Sequence, residues 1–321
     1  MKIDYLLYQN TRQLTDSVMM IRPANFGFNE ETAENNVFQS SDGKLTKKEI
    51  KEKAIEEFDG LVEKLRDAGV KVQVIEDTPK PVKTDAVFPN NWLSTHENGV
   101  MITYAMFAPT RRKERREDIL TGLERDYVVH KHYSFDFYED DGQYLEGTGS
   151  MIFDRKNKIL YAGLSQRTEP RVLEKFAVLM SYRKVVFHAT DKNEAPIYHT
   201  NVMMALGEDF AVVCMDTIKN EVEKKDIIRS LKQTGKELIE ITEDQMNSFA
   251  GNMLQLRSTE GKPLLLMSSQ AYKALRPEQI EKITSHTEII KVPIPTIEKY
   301  GGGSVRCMVA ENFLTAKPVD A

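Results

Sequence analysis

Near the carboxyl end, the stretch YGGGSVRCMVAE, residues 300 to 311, sets three consecutive glycines shortly before Cys307. Glycines allow backbone conformations and close ligand approach that side chains would block, and a cation such as Arg306 beside a sulfur favours the thiolate. That context suits a nucleophile. A lone cysteine beside glycines is nevertheless more often structural, so the chemistry requires partners elsewhere, above all a proton shuttle. The second cysteine, Cys214 in EDFAVVCMD, sits in an apolar strand pattern and reads as a small buried side chain. Among the six histidines, His199 in APIYHTNVMMAL stands where a loop enters an apolar strand, with Asn201 two positions on and therefore on the same strand face. His130 and His132 alternate in VVHKHYSF but have no further metal ligands nearby, and His96, His188 and His286 lie in stretches without a second polar feature. No metal and no cofactor are expected. Glu146 in DDGQYLEGTGSMIFD is flanked by Gly147 and Gly149, where the backbone leaves room for another group. TDAVFPNNWLS gathers Asp85, Asn90, Asn91 and the only tryptophan, although PNNW taken alone is a turn signal.

These side chains need a scaffold. Short apolar runs (KVQVIED, GVMITYAMF, KILYAGL, RKVVFHA, VMMALGEDFAVVCM, PLLLMSS and TEIIKVPIP) read as buried strands. Between them lie charged segments of helical period. TKKEIKEKAIEEFDGLVEKLRDAG spaces Ile50, Ala54, Ile55, Phe58, Val62 and Leu65 at threes and fours and closes on Gly69, an amphipathic helix with a glycine stop. DILTGLERDY, EPRVLEKFAVLMSY, KKDIIRSLKQTGK and SSQAYKALRPEQIEKI repeat the pattern, so the class is α/β. The run RRKERRED, Arg111 to Asp118, mixes signs at a helix start and reads as a solvated face.

Composition narrows the partners. A chain of 321 residues with 40% hydrophobic and 29% charged residues folds with a substantial core, and a net charge of -5 argues against a nucleic-acid surface. No apolar run approaches the roughly 18 residues of a membrane span, and MKIDYLLYQN lacks an export signal. The cytoplasm is the expected compartment, with both cysteines as free thiols. No linker or composition shift divides the chain, so residues 1–321 are expected to form a single domain, and a homo-oligomer remains compatible with the sequence.

Taken together, these motifs resemble the guanidino-modifying enzymes: arginine deiminase, dimethylarginine dimethylaminohydrolase, the amidinotransferases and succinylarginine dihydrolase. The likeness runs from MIRPANFGFN near Arg22 to GGGSVRCM. It implies a five-bladed α/β-propeller with pseudo-fivefold symmetry, the pentein fold, with Cys307 as nucleophile, His199 as proton shuttle and Glu146 as the partner that orients the ring and favours its charged form. By the same resemblance, LSQRTE nominates Arg167 as a grip on the substrate carboxylate. Arginine-hydrolysing members usually carry aspartates where this chain has Asn91 and Asn201. An amide is neutral and can donate as well as accept, which suits a ureido oxygen better than a cationic guanidinium. The pocket therefore looks most like the branch that hydrolyses citrulline or carries arginine through to ornithine. Asn25, in RPANF, becomes a further candidate contact beside Asp85 and Asn90. An amidinotransferase, an arginine deiminase and a catalytically silent binding protein on the same fold are the alternatives.

Overall fold

The computed structural model describes residues 11–34 and 36–318; the stretch MKIDYLLYQN lies outside them. Among the described residues the strands are β1 (Ser17–Arg22), β2 (Lys71–Glu76), β3 (Leu93–Thr95), β4 (Val100–Thr103), β5 (Lys131–Ser134), β6 (Ile152–Asp154), β7 (Ile159–Gly163), β8 (Arg183–Phe187), β9 (Met204–Leu206), β10 (Phe210–Val213), β11 (Glu237–Glu240), β12 (Leu254–Arg257), β13 (Pro263–Ser268), β14 (Glu288–Val292) and β15 (Ala310–Glu311). They form five three-stranded sheets, ordered β15-β1-β2, β3-β4-β5, β6-β7-β8, β9-β10-β11 and β12-β13-β14. Every sheet repeats one rule: its first strand pairs antiparallel with its second, and the second pairs parallel with its third. A parallel pair needs a long crossover, and the amphipathic segments supply it. They are α1 (Lys47–Asp67), α2 (Glu117–Asp126), α3 (Pro170–Met180) and α4 (Glu221–Gln233), and in the fifth sheet the short helix Ser269–Ala274 followed by α5 (Pro277–Thr284).

The last strand is the first strand of the first sheet. β15 pairs with β1 through Val18 opposite Glu311 and Met19 opposite Ala310, so the two ends of the described chain close on one another. The opening strands of the sheets also lie side by side: β3 against β15, β6 against β9 and β9 against β12. Thr95 Oγ1 donates to Glu311 O, and Thr15 Oγ1 to Asn312 O, tying the closure with polar bonds.

Helix α1 shows how sequence sets these elements. Thr46 and Glu49 form a reciprocal capping box at its start, and Gly69 ends it at φ +82°. Val70 N donates to Leu65 O and Gly69 N to Arg66 O, the paired bonds of a Schellman stop. Its buried face, Ile50, Ala54, Phe58, Leu61, Val62 and Leu65, packs in one cluster with Val18 and Met20 of β1 and with Leu264, Leu266, Ile290 and Val292 of the fifth sheet. SSQAYKALRPEQIEKI, read as one helix, is two: Arg276 is extended because the ring of Pro277 excludes helical backbone before it, and α5 restarts on the proline. VMMALGEDFAVVCM is a hairpin, β9 turning through Gly207 into β10. Cys214 follows β10 fully buried, and burial pushes its thiol up to about 12. No helix among the described residues is long and apolar enough to cross a membrane.

Phe58 is fully buried at the centre of this cluster. Phe58→Ala is expected to cost about 3–5 kcal/mol in urea unfolding, the range for large-to-small core changes. A cost below about 1 kcal/mol would contradict the packing described.

Candidate active site

The short segments that lead into the opening strands converge at one end of the sheets. Asn91 ends the 3-10 turn Pro89–Asn91 before β3, Glu146 precedes the helical turn Gly147–Ser150 before β6, and His199 caps the turn Thr200–Met203 before β9. Asn252 stands before β12, and Cys307 before β15. Around them lies a cavity of about 290 Å³, lined by Asp85, Asn91, Arg111, Arg167, His199 and Cys307 together with Tyr198 and Gly301 to Gly303. Roomier hollows exist on the surface, such as one of about 860 Å³ lined by Ser248, Gln270 and Pro295, but no cysteine or histidine lines that one.

His199 Nε2 lies 2.7 Å from Glu146 Oε2, both side chains nearly inaccessible to water. Glu146 Oε1 accepts from Phe107 N at 2.9 Å, and Oε2 faces Arg167 Nη1 at 3.5 Å. Burial alone would raise the Glu146 carboxyl, but Arg167, the His199 bond and Arg111 outweigh it and hold the group ionised, well below the ordinary carboxylate range. For His199 the balance goes the other way: burial outweighs the pull of Glu146 and brings the imidazole down to about 4. The ring is therefore neutral near pH 7: Glu146 does favour its charged form, but burial outweighs that pull. With Nε2–H assigned to Glu146, the remaining nitrogen is Nδ1. It lies over Gly149, where a Cβ would stand 2.9 Å from Nδ1 and 2.4 Å from Asn91 Nδ2. Only glycine lets these two groups approach together.

Cys307 is held from the other side. Asn201 Nδ2 donates to its Sγ at 3.5 Å and Asn252 Nδ2 at 3.3 Å, while Asn252 Nδ2 also reaches Asn201 O and Asn252 Oδ1 accepts Arg306 N. The Arg306 guanidinium does not turn to the sulfur, as its position in sequence suggested; it bonds Val309 O and Glu311. Gly302, at φ +63°, ends the helix α6 (Pro295–Gly301), and its carbonyl accepts from Tyr198 OH, which pins the glycine segment over the cavity.

Among the residues nominated from sequence, Cys307, His199, Asn91, Arg167 and Asp85 line the cavity, and Asn201 reaches it through Cys307. Asn201 does so from a helical turn, not from the strand face inferred from its spacing. Glu146 is absent from the residues lining the cavity and is bonded to the His199 ring. Asn90 packs outside the cavity wall, donating to Thr148 Oγ1. Asn25 lies apart, donating to Pro79 O. Asp85 accepts instead from Asn29 Nδ2 at 2.7 Å, and burial, offset in part by Arg111, raises its carboxyl.

Two functional positions went unrecognised in sequence. Arg111 belongs to the run read as a solvated face, yet it is buried, bonding Asn91 Oδ1 at 2.8 Å, Phe88 O and the carboxylate of Glu114. Asn252 carried a signal: like Asn91 and Asn201 it is an asparagine two or three residues before an apolar strand. Several buried atoms at the site have no hydrogen-bond partner, including Asn91 Nδ2, Asn201 Oδ1 and Asp85 Oδ1. Such atoms each cost about 1–3 kcal/mol unless something binds them.

Comparison with known proteins follows the same line. Residues 22–314 match the family model for N,N dimethylarginine dimethylhydrolase, eukaryotic. No curated protein sequence matches. Among solved structures, the chain resembles the substrate-bound N-terminal domain of ArgZ, an arginine dihydrolase from the ornithine-ammonia cycle in cyanobacteria, at 16% identity and a TM-score of 0.72, over 93% of this chain and 99% of that one. It also resembles AgrE in complex with ornithine and NAD+ (15% identity, TM-score 0.72, 95% of this chain but 40% of that longer one). A dimethylarginine dimethylaminohydrolase adduct with S-methyl-L-thiocitrulline matches at 16% identity and a TM-score of 0.64, over 93% of this chain and 100% of that chain. At these identities the structural likeness establishes a shared α/β fold.

Because His199 is near 4 in the fold and near its ordinary 6.5 when unfolded, the unfolded chain binds the extra proton in between. Stability contributed by this group is expected to fall as pH drops from about 6.5 to 4, at a limiting slope of about 1.4 kcal/mol per pH unit. His199→Gln removes that component; denaturation curves showing the same acid dependence in both proteins would refute it.

Proposed function

Because the chain belongs to the N,N-dimethylarginine dimethylhydrolase family, and is thus a hydrolase of guanidino-type carbon–nitrogen bonds, we propose that it acts on a free amino acid, citrulline or arginine, and releases ornithine, ammonia and carbon dioxide. One observation carries this reading. Carboxamides of Asn201 and Asn252 hold the Cys307 sulfur, and Asn91 and the neutral His199 imidazole line the same cavity, with unpaired amide atoms on Asn91 and Asn201. A ureido group offers a carbonyl oxygen to an amide NH₂ and NH donors to an amide oxygen, whereas a carboxylate there would repel the oxygen.

The amino-acid end falls to the charged wall. Arg111 and Arg167 pair with the substrate carboxylate, and the free Oδ1 of Asp85 accepts from its ammonium group. His199 Nδ1 takes the proton of the Cys307 thiol as the sulfur attacks the central carbon, forming a C–S bond and a tetrahedral centre. Asn91 Nδ2 donates to the heteroatom that gains charge, as an oxyanion-hole donor does. Collapse breaks a C–N bond, and the imidazolium returns the proton to the departing nitrogen. Water then attacks the covalent intermediate with His199 as base and restores the thiol. With arginine, the first round yields citrulline and ammonia; with citrulline, the resulting carbamate loses carbon dioxide. Glu146 fixes the ring tautomer throughout. In this reading the described residues make up one domain, the five sheets acting as blades of an α/β-propeller, and the two free cysteines suit the reducing cytoplasm.

The family match favours a second reading, in which an N-methylated arginine is cleaved to citrulline and the methylamine. A panel of citrulline, arginine and dimethylarginine, without an amine acceptor, separates the two and also tests for transfer. Ornithine and ammonia from citrulline support the proposal; citrulline accumulating from dimethylarginine with no ornithine overturns it. Cys307→Ser is expected to abolish turnover with the fold intact by circular dichroism. Asn91→Asp is expected to lower kcat/KM for citrulline about 100-fold and to shift preference toward arginine.

A further inference from the structure

Six lysine and arginine side chains are fully buried among the described residues: Lys83, Arg111, Arg155, Arg167, Lys236 and Arg306. Four have a carboxylate of their own. Lys83 pairs with Asp77, Arg111 with Glu114, Arg167 with Glu146 and Lys236 with Asp154. The remaining two share one oxygen: Arg306 Nη2 lies 2.8 Å and Arg155 Nη2 3.6 Å from Oε2 of Glu311. A guanidinium cannot shed its proton in a protein, so this corner of the interior holds one positive charge more than its partners balance.

The two guanidinia line a small cavity, separate from the one at Cys307 and bordered by Gln13, Phe153, Gln255 and Glu311. It lies among the opening strands β6, β9 and β12, bordered by Phe153, Leu206 and Gln255. Its other contacts among the described residues add no negative charge. Arg155 Nη1 meets His96 Nδ1 at 3.4 Å, and burial first, then Arg155 and Lys158, hold that imidazole well below its ordinary value and hence neutral. The Arg155 guanidinium stacks 4.0 Å from the Phe313 ring centroid, and Arg306 Nη1 donates to Val309 O. Burial, offset in part by Glu311, lowers the Arg306 guanidinium, whereas Arg111, with carboxylates around it, is raised.

We propose that this second cavity is a binding site for a small oxyanion of phosphate or carboxylate size, held between the guanidinia of Arg155 and Arg306. Guanidinium forks match such oxygens, and the anion supplies the charge that Glu311 alone does not. Cys307 is the residue next to Arg306, so the peptide joining them separates the reaction cavity from the anion cavity.

The test is the melting temperature of the full chain in inorganic phosphate, titrated at constant ionic strength against gluconate, a bulkier anion. Wild type is expected to show a saturable rise. Glu311→Gln keeps the shape and removes the competing carboxylate, so its half-saturating phosphate concentration is expected to fall about tenfold or more. Arg155→Gln is expected to abolish the saturable rise. Phosphate captured by Arg111 and Arg167 in the other cavity would be indifferent to Glu311, so equal half-saturation in wild type and Glu311→Gln overturns the proposal even if Arg155→Gln does not fold. A rise without saturation, the signature of general salt exclusion, overturns it as well.

Discussion

One nitrogen of His199 is committed to Glu146 inside the protein, and the rest of the site follows from that bond. Two groups with almost no water contact, 2.7 Å apart, fix the ring, its tautomer and the direction of its free nitrogen. The bond survives because Glu146 is itself over-determined, by the Phe107 amide on one oxygen and Arg167 near the other. Burial makes the imidazole neutral despite its anionic neighbour, so near pH 7 its free nitrogen is a proton acceptor. An exposed histidine–glutamate pair would settle the opposite way, since water would support the imidazolium.

The fold delivers these groups by repetition. Each opening strand has only two to four residues, and each is entered through a polar turn or cap. Where several such strands stand side by side, their entry turns meet: Asn91, His199 and Cys307 line one cavity, with Glu146 bonded to His199 and Asn252 to Cys307. Pairing of β15 with β1 completes the arrangement, because the strand that follows Cys307 is the one the first sheet lacks. Chain closure and placement of the sulfur are the same structural event.

Interior charge is partitioned with the same economy. Arg111 and Arg167 stand at the reaction cavity among Asp85, Glu114 and Glu146, where their positive charge keeps Glu146 ionised. Arg306, adjacent to the sulfur in sequence, is directed to the opposite cavity, leaving the thiol to uncharged amides from Asn201 and Asn252. The neutral surroundings of Cys307 thus come from where the arginines point as much as from the asparagines present.

Legible in the residues alone were the α/β class, helix α1 with its glycine stop, and the candidates Cys307, His199, Glu146 and Asn91. These depend on local properties: hydrophobic period, capping chemistry and glycine next to reactive side chains act over a few residues and can be seen in a single stretch. Only the tertiary structure decided that Arg111, in a run of mixed charges, is buried against Asn91, that Asn252 joins Asn201 at the sulfur, and that Asn25 and Asn90 stand outside the cavity. It also decided the protonation of His199. Burial, and the direction in which a long side chain leaves the backbone, are set by contacts between segments distant in the chain, such as Glu146 with His199 and Asn201 with Cys307, and no local pattern of residue types records them.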